Sequence, residues 1–225
     1  MITLKDTFKI NTKKIVLMAM MIALYIVISW ISKLANLSIF PAANFLKIEF
    51  SDFIFLISVF FTGWFYLLFQ ILISIFLRIL ILGETIVDGV SLIFADGVFV
   101  LVFFFTLLLI ERVFMKLIFK NTKKEESVQV TSDNKKTKNK ISADIVSCII
   151  ALVVSTIITS LVMGFLNYIF IYRLYIVILG FPQEVIDDFN KLIVPFVIPF
   201  NLIKFSINAV LFIPAINFIR HTLVV

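Results

Sequence analysis

Long apolar segments separated by short polar ones dominate the hydrophobic pattern of the chain. A helix needs about 20 apolar residues to cross the hydrocarbon core of a bilayer, which is roughly 30 Å thick. The pattern predicts six transmembrane helices, at residues 15–32, 53–61, 64–82, 90–110, 143–171 and 192–219. Because 53–61 is short for a span, a five-span alternative joins it to the third segment across the turn at Thr62 and Gly63.

Composition agrees with a membrane protein. The chain is 62% hydrophobic, and 27 of its 225 residues are Phe, which leaves too little polar surface for a soluble domain. We therefore predict an all-α integral membrane protein with a single transmembrane domain over residues 1–225. One polar segment, 111–142, is predicted to be a cytoplasmic linker between the fourth and fifth spans, and its part 121–140 has the composition of a disordered segment.

The basic residues predict the orientation. Of 20 Lys and Arg residues, four precede the first span and nine lie between the fourth and fifth spans. Such clusters stay in the cytoplasm, so we expect both termini there. The net charge of +6 is then a signal of topology and not of nucleic-acid binding, because the basic residues lie on no folded soluble surface.

The residue types of common catalytic and metal sites are scarce. Cys148 and His221 are each the only residue of their kind, so no intrachain disulfide, no Cys/His metal cluster and no Ser/His/Asp arrangement is expected. A phosphate-binding Gly-rich loop with a following Lys and Ser/Thr is also missing. We predict neither an enzyme nor a protein with a cofactor.

Polar residues within the spans indicate a site. A lysine at the centre of a membrane helix costs about 2.5–3.5 kcal/mol. Asn201, Lys204 and Asn208 follow the spacing i, i+3, i+7 and share one helix face, which must point toward protein or water.

The fifth span carries a second polar stripe. Its small and polar members recur at spacings of three and four: Thr156, Thr159, Ser160, Gly164 and Asn167. Asn167 and Asn201 are both predicted in the outer half of the membrane, so a pocket open to the exterior is one interpretation. The other is that these residues only join helices through hydrogen bonds and close packing.

Three further charges have open assignments. Lys204 is interpreted either as a ligand contact or as the partner of Glu49, Asp52 or Asp96. Asp96 is expected to pair with Lys204 or Arg78. Arg78 lies near the outer end of the third span, where its side chain is expected to extend to the membrane surface.

Two other features point to contact surfaces. Ala19 and Ala23 form a small-xxx-small face on the first span, which favours close approach of another helix, either within this chain or from a partner. The segment 45–53, FLKIEFSDF, is expected to be a short amphipathic strand or a re-entrant loop, with Ser51 or Asp52 capping the next helix.

Three motifs resemble one family. FLKIEFSD before the second span, FLNYIF in the fifth and IPFNLIKF in the sixth are similar to L-K-[ILV]-[DE]-F-S-D, L-N-Y and P-F-N-x-[IL]-K. These patterns occur in riboflavin-specific substrate-binding (S) components of energy-coupling factor (ECF) vitamin transporters. The order of the motifs and the predicted topology agree with that family, whereas Phe205 stands where the family usually has Gly.

The resemblance implies a multi-pass subunit of a bacterial plasma membrane that captures riboflavin with high affinity from outside the cell. A separate module of one transmembrane coupling subunit and two ATP-binding subunits supplies the energy. The ligand residues implied are Asn167, Asn201, Lys204, Phe45, Leu46, Lys47, Tyr168 and Phe200, and Ala19 and Ala23 are implied to contact the coupling subunit. The alternatives are the same fold with another ligand, such as folate, another B vitamin or a base, and a scaffold protein without a ligand.

Overall fold

The fold is helical, and the computed structural model describes residues 11–40, 46–122 and 133–223. The α-helices of the described residues are α1 Thr12–Ala35, α2 Phe53–Thr62, α3 Trp64–Leu82, α4 Ile86–Thr122, α5 Asp133–Leu166, α6 Tyr172–Leu179, α7 Gln183–Leu192 and α8 Ile198–Leu223. Two π-helical turns join α5 to α6 and α7 to α8, at Asn167–Ile171 and Ile193–Val197.

Five helical stretches of the described residues are long and apolar enough to cross a membrane. They are Thr12–Ala35, Trp64–Leu82, Ile86–Ile110, Ile145–Leu179 and Gln183–Ala215. The six predicted apolar segments are all helical, but α2 has only ten residues and is too short to span alone. The described residues thus contain five candidate spans and one shorter apolar helix, α2, and the sixth span stays a prediction. The orientation of the termini stays a prediction.

Helix ends coincide with residues suited to them. The side chain of Asn11 accepts a hydrogen bond from the Lys13 backbone N–H at 2.9 Å and caps α1. Gly83 ends α3 in the left-handed conformation, with φ of 65°, which is a common helix terminus because glycine carries no Cβ. The tight turn into α4 that follows places Glu84 at the end of the bundle.

The predicted polar linker is partly helical. α4 continues to Thr122 and α5 begins at Asp133, so both helices extend into the segment 111–142, while 123–132 lie outside the described residues. Lysine is a good helix former when its side chain is solvated, which accounts for helix beyond the apolar residues.

Aromatic side chains pack the centre of the bundle. Phe205 is fully buried and stacks on Phe99 with ring centroids 4.4 Å apart, and the Lys204 Nζ lies 5.3 Å from the Phe205 ring centroid. A glycine at position 205 would leave this space empty. The departure from the family pattern is therefore a packing difference in the core.

The polar stripe of α5 is buried, as its spacing predicted. A Cβ placed on Gly164 would lie 2.8 Å from the Ile198 Cγ1, closer than van der Waals contact allows. The predicted close approach of another helix is confirmed, and the helix is α8. This contact brings Asn167 at the end of α5 toward Asn201 in α8.

Candidate functional site

A cavity of about 430 Å³ opens at one end of the bundle. The last turn of α1, the segment 46–49, the turn between α3 and α4, and parts of α4, α5, α6 and α8 line it. Its volume lies within the roughly 300–1,000 Å³ typical of small-molecule sites. The three sequence motifs therefore meet around one space, although the first lies more than 100 residues before the other two.

The segment 46–52 is held over this cavity from two sides. The Ile48 backbone N–H donates to the Leu37 carbonyl at 2.9 Å, and the Phe50 N–H donates to the Ser32 Oγ at 3.2 Å. From α8, the Asn208 Nδ2 donates to the Glu49 carbonyl at 2.8 Å. Apart from one isolated antiparallel bridge, between Ser38 and Lys47, the described part of this segment is a loop.

The start of α2 is capped from another helix. Neither Ser51 nor Asp52 makes the expected side-chain cap, although Asp52 occupies the N-cap position. The Phe53 N–H donates instead to the Asn208 Oδ1 at 3.1 Å. The Asp52 carboxylate lies beside the Lys204 ammonium instead. A charged donor stabilises a buried carboxylate more than the neutral backbone N–H of Phe53 would. Asn208 therefore has the structural role that the sequence left open.

Arg78 corrects a prediction. Its side chain does not extend to the membrane surface, because the residue is only 2% exposed. The Nε donates to both Glu84 oxygens at 2.7 and 2.8 Å, and the guanidinium forms a two-pronged pair with Glu49. Another N–H donates to the Tyr25 hydroxyl at 3.2 Å. Arg78 thus ties α1, the segment 46–52 and the α3–α4 turn together.

Lys204 is buried among three carboxylates. Its Nζ lies 3.0 Å from the Asp52 Oδ2, 3.7 Å from the Glu49 Oε2 and 3.9 Å from the Asp96 Oδ1. All three proposed partners surround it, with Asp52 the nearest, and Asp96 pairs with Lys204 rather than with Arg78. Lys204 also lines the cavity, so a structural pair and a ligand contact are compatible.

The two glutamates that hold Arg78 differ electrostatically. Burial raises the pKa of the Glu49 carboxyl, but Arg78 and Lys204 outweigh burial and hold that pKa below its ordinary value. Burial also raises the pKa of Glu84, and there Arg78 and, more weakly, Lys33 do not fully compensate, so the pKa of Glu84 stays above its ordinary value. The Glu49 carboxylate is therefore the firmer anchor of the two.

The side-chain amides of Asn167 and Asn201 each offer an oxygen atom to the cavity. The Asn167 Nδ2 donates to the Met163 carbonyl at 2.7 Å, and the Asn201 Nδ2 donates to the Val197 carbonyl at 2.9 Å. Both amides line the cavity, and neither Oδ1 has a hydrogen-bond partner among the described residues. Each Oδ1 is thus an acceptor available to an N–H or O–H of a ligand.

Irregular helix geometry accompanies both amides. Asn167 begins the first π-helical turn and the second ends four residues before Asn201. Pro195 and Pro199 have no backbone N–H, so they interrupt the regular hydrogen-bond ladder beside Asn201. Such π-helical turns occur frequently at functional sites, and here residues of both turns line the cavity, Asn167 and Ile171 from the first and Val197 from the second.

The remaining predicted ligand residues fall into three groups. Leu46, Lys47 and Phe200 line the cavity. Tyr168 does not, because it is 60% exposed and borders a separate depression between α6 and α7. Successive helical residues point about 100° apart, so Tyr168 turns away where Asn167 turns in. Phe45 lies outside the described residues.

Several residues that line the cavity were not among the ligand contacts predicted from the sequence. They bring three charged groups and two phenol hydroxyls to the cavity wall: Arg78, Glu84, Asp88, Tyr172 and Tyr175. The position of Asp88 at a helix start was recognisable in the sequence, because Thr85 and Asp88 have the spacing of a reciprocal helix cap. The structure shows that cap.

A family model describes the chain over most of its length. It is the model for "ECF transporter, substrate-specific component", and it matches residues 13–216. The chain belongs to this family. The family consists of substrate-binding components of transporters, not of enzymes, and its members work with an energising module.

A solved structure supports the fold of this substrate-specific component. It is described as "Structure and mechanism of the S component of a bacterial ECF transporter", with a TM-score of 0.61 and 20% sequence identity, covering 94% of this chain and 97% of the other. At this identity the likeness shows the fold. No curated protein matches the sequence significantly.

The first helix of this substrate-specific component has an uncovered face. Ala19 and Ala23 are exposed, so the described residues do not use this small-residue face for internal packing. Large apolar side chains around them are exposed as well: Val16, Met20, Val27, Trp30 and Ile31. In a membrane this face is open to lipid or to another subunit.

Proposed function

We propose that this ECF substrate-specific component binds riboflavin in the cavity between α1, α4, α5 and α8. The observation that carries the proposal is the convergence of the three motifs on one cavity. Leu46 and Lys47 come from the first motif, Asn167 from the second and Asn201 from the third. The proposal includes uptake from outside the cell, powered by a coupling subunit and two ATP-binding subunits.

The chemistry of the cavity suits a flavin. The free Oδ1 atoms of Asn167 and Asn201 match the imide N–H and the hydroxyls of riboflavin. Phe200, Tyr172 and Tyr175 also line the cavity, and aromatic side chains contact a flat ring system favourably. The cavity thus offers hydrogen-bond acceptors to the polar groups of riboflavin and aromatic side chains to its flat ring system.

Flavin binding is directly measurable on the purified protein. Folded protein in detergent is expected to quench the fluorescence of added riboflavin, or to carry a yellow flavin through purification. Thiamine and folate, added in excess, are expected not to displace it. Folded protein that leaves riboflavin fluorescence unchanged at micromolar concentration would reject riboflavin, and displacement by another vitamin would identify the alternative.

Asn201→Ala is expected to weaken riboflavin binding about three- to tenfold. The reason is that one hydrogen bond contributes about 0.5–1.5 kcal/mol, and the variant removes the acceptor that faces the cavity. The measurement is a fluorescence titration, accompanied by thermal unfolding of the empty protein.

Asn190→Ala is the matched control. Asn190 is an amide in α7 that borders the other depression, so its loss is expected to leave riboflavin affinity unchanged. If Asn201→Ala lowers thermal stability while the affinity of the remaining folded protein is normal, Asn201 joins helices and does not contact ligand.

Bulky residues on the exposed face of α1 are expected to block transport but not binding. Ala19→Trp and Ala23→Trp should lose most uptake in whole cells, because a large side chain prevents close approach of the coupling subunit. Riboflavin affinity of the purified variants should stay normal. Val153→Trp, at an exposed position of another helix, α5, is the control; full uptake by Ala19→Trp would reject the contact face.

A further inference from the structure

The close contact between α5 and α8 lies about one helical turn from each cavity amide. It is formed by Gly164 and Ile198: a Cβ on Gly164 would lie 2.8 Å from the Ile198 Cγ1 and 3.1 Å from its Cδ1. Gly164 precedes Asn167 by three residues, and Ile198 precedes Asn201 by three residues. Neither member of the contact is among the residues that line the cavity. The α5–α8 contact therefore adjoins the site without forming its wall.

Both amides fold back toward the level of the α5–α8 contact. The Asn167 Nδ2 donates to the Met163 carbonyl and the Asn201 Nδ2 to the Val197 carbonyl, in each case four residues earlier. Each side chain is thus directed toward the start of its own helix. Because α5 and α8 belong to consecutive candidate spans, they cross the bundle in opposite directions. The two amides consequently approach each other along the bundle, one from each side of the contact.

The Ile198 side chain cannot easily make room for a methyl group at position 164. Ile198 begins α8, and isoleucine has one strongly preferred χ1 rotamer in a helix. Its Cγ1 is bonded directly to Cβ, so this atom moves only if χ1 or the backbone moves. On another side, the Ile193 Cγ2 lies 3.7 Å from the same Cβ position. An added methyl group therefore pushes α5 and α8 apart, and the two amides separate with them.

We infer that Gly164 is a positioning residue for the ligand site, because its lack of a side chain sets the distance between the Asn167 and Asn201 acceptors. A ligand that bonds to both Oδ1 atoms at once is sensitive to this distance, since hydrogen bonds weaken beyond about 3.2 Å between donor and acceptor. A ligand held by one amide alone would follow the helix that carries it. The inference rests on the proposed riboflavin site and adds that riboflavin bonds to both amides together.

Gly164→Ala is expected to weaken riboflavin binding about three- to tenfold, the range for the loss of one hydrogen bond. Fluorescence titration of the purified full-length protein measures the affinity, and thermal unfolding is recorded in parallel. Gly97→Ala is the matched control, since a Cβ on Gly97 meets no atom within 4 Å, and its affinity should be normal. Normal affinity of folded Gly164→Ala protein overturns the inference. Wild-type protein that binds no riboflavin rejects the proposed function, and the inference with it.

A compensating substitution tests the steric origin of the effect. Ile198→Ala removes both Cγ1 and Cδ1, so the protein Gly164→Ala/Ile198→Ala is expected to recover most of the lost affinity. Lack of recovery would overturn the inference. Ile198→Phe enlarges the α5–α8 contact from the other helix and should weaken binding in the same way, so the test does not depend on the folding of one variant. Unchanged affinity in Ile198→Phe would also count against the inference.

Asn201→Ala distinguishes positioning from general damage to the fold. With that acceptor removed, riboflavin can bond only to Asn167 of the two amides, and the distance between the helices matters less. Gly164→Ala is therefore expected to cause little further loss of affinity in the Asn201→Ala background. A merely structural role of Gly164 predicts that the two losses add. Additive losses in this double-mutant cycle would overturn the positioning role.

Discussion

Replacing Arg78 with methionine is expected to lower the free energy of unfolding by about 3–5 kcal/mol. The guanidinium is the cation nearest to both Glu49 and Glu84, whose side chains are only 18% and 13% exposed. Without it, Glu84 forms no ion pair with any other described residue, and Glu49 keeps only the more distant Lys204. Removing one member of a buried ion cluster is costly because the remaining charge is neither paired nor hydrated. Thermal unfolding in detergent measures the loss.

Arg173→Met is the matched control for this result. Arg173 is exposed, so the same substitution there should change stability by less than about 1 kcal/mol. Arg78→Lys should fall in between, because lysine keeps the charge but cannot form the two-pronged pair with a carboxylate. An Arg78→Met protein that unfolds at the wild-type temperature would show that the cluster contributes no stability.

Lys204→Met is the second large effect that we expect. The variant should also lose about 3–5 kcal/mol, because Asp52 is fully buried and its nearest cation is Lys204. Adding Asp52→Asn should recover part of the loss, since the amide carries no charge. This double-mutant cycle isolates the interaction between the two side chains.

Lys191→Met supplies the surface comparison. Lys191 pairs with Asp188 at 2.8 Å, but the two side chains are 75% and 72% exposed. Exposed pairs contribute about 0–1 kcal/mol, so the stability of this variant should be close to that of the wild type.

Lack of any recovery of stability in the Lys204→Met/Asp52→Asn protein would show that Asp52 is not the main partner of Lys204.

The two cations have the same consequence for ligand binding. Arg78 and Lys204 both line the cavity, but both are held by carboxylates that come from other segments of the chain. Their first contribution is to fix the segment 46–52 over the site. Loss of affinity in either variant is therefore interpretable only on protein whose folding has been confirmed.

Periodicity predicted much of the architecture. The six apolar helices follow from the hydrophobic pattern, and the buried faces follow from the spacing of polar residues on single helices. Asn201, Lys204 and Asn208 are all buried, as is the stripe that ends at Asn167. Both inferences are local, because a residue's direction around a helix depends only on its position along that helix.

Sequence spacing was less informative for individual site residues. Tyr168 follows Asn167 in the motif, yet it lies on the outside of the helix. Arg78 lies near a helix end, as residues that reach the membrane surface do, yet it turns inward. In both cases the direction of the side chain depends on what the neighbouring segments offer it.

The sequence by itself determined that this is a helical membrane protein, which helix faces avoid lipid, and which family its motifs resemble. Only the tertiary structure decided which charges pair, which amide atoms face the cavity, and why phenylalanine fits at position 205. The physical reason is that pairing and packing depend on distances between atoms that are far apart in the chain. Glu49 and Glu84 meet at Arg78 because three separate segments end at the same place, and no local pattern records that meeting.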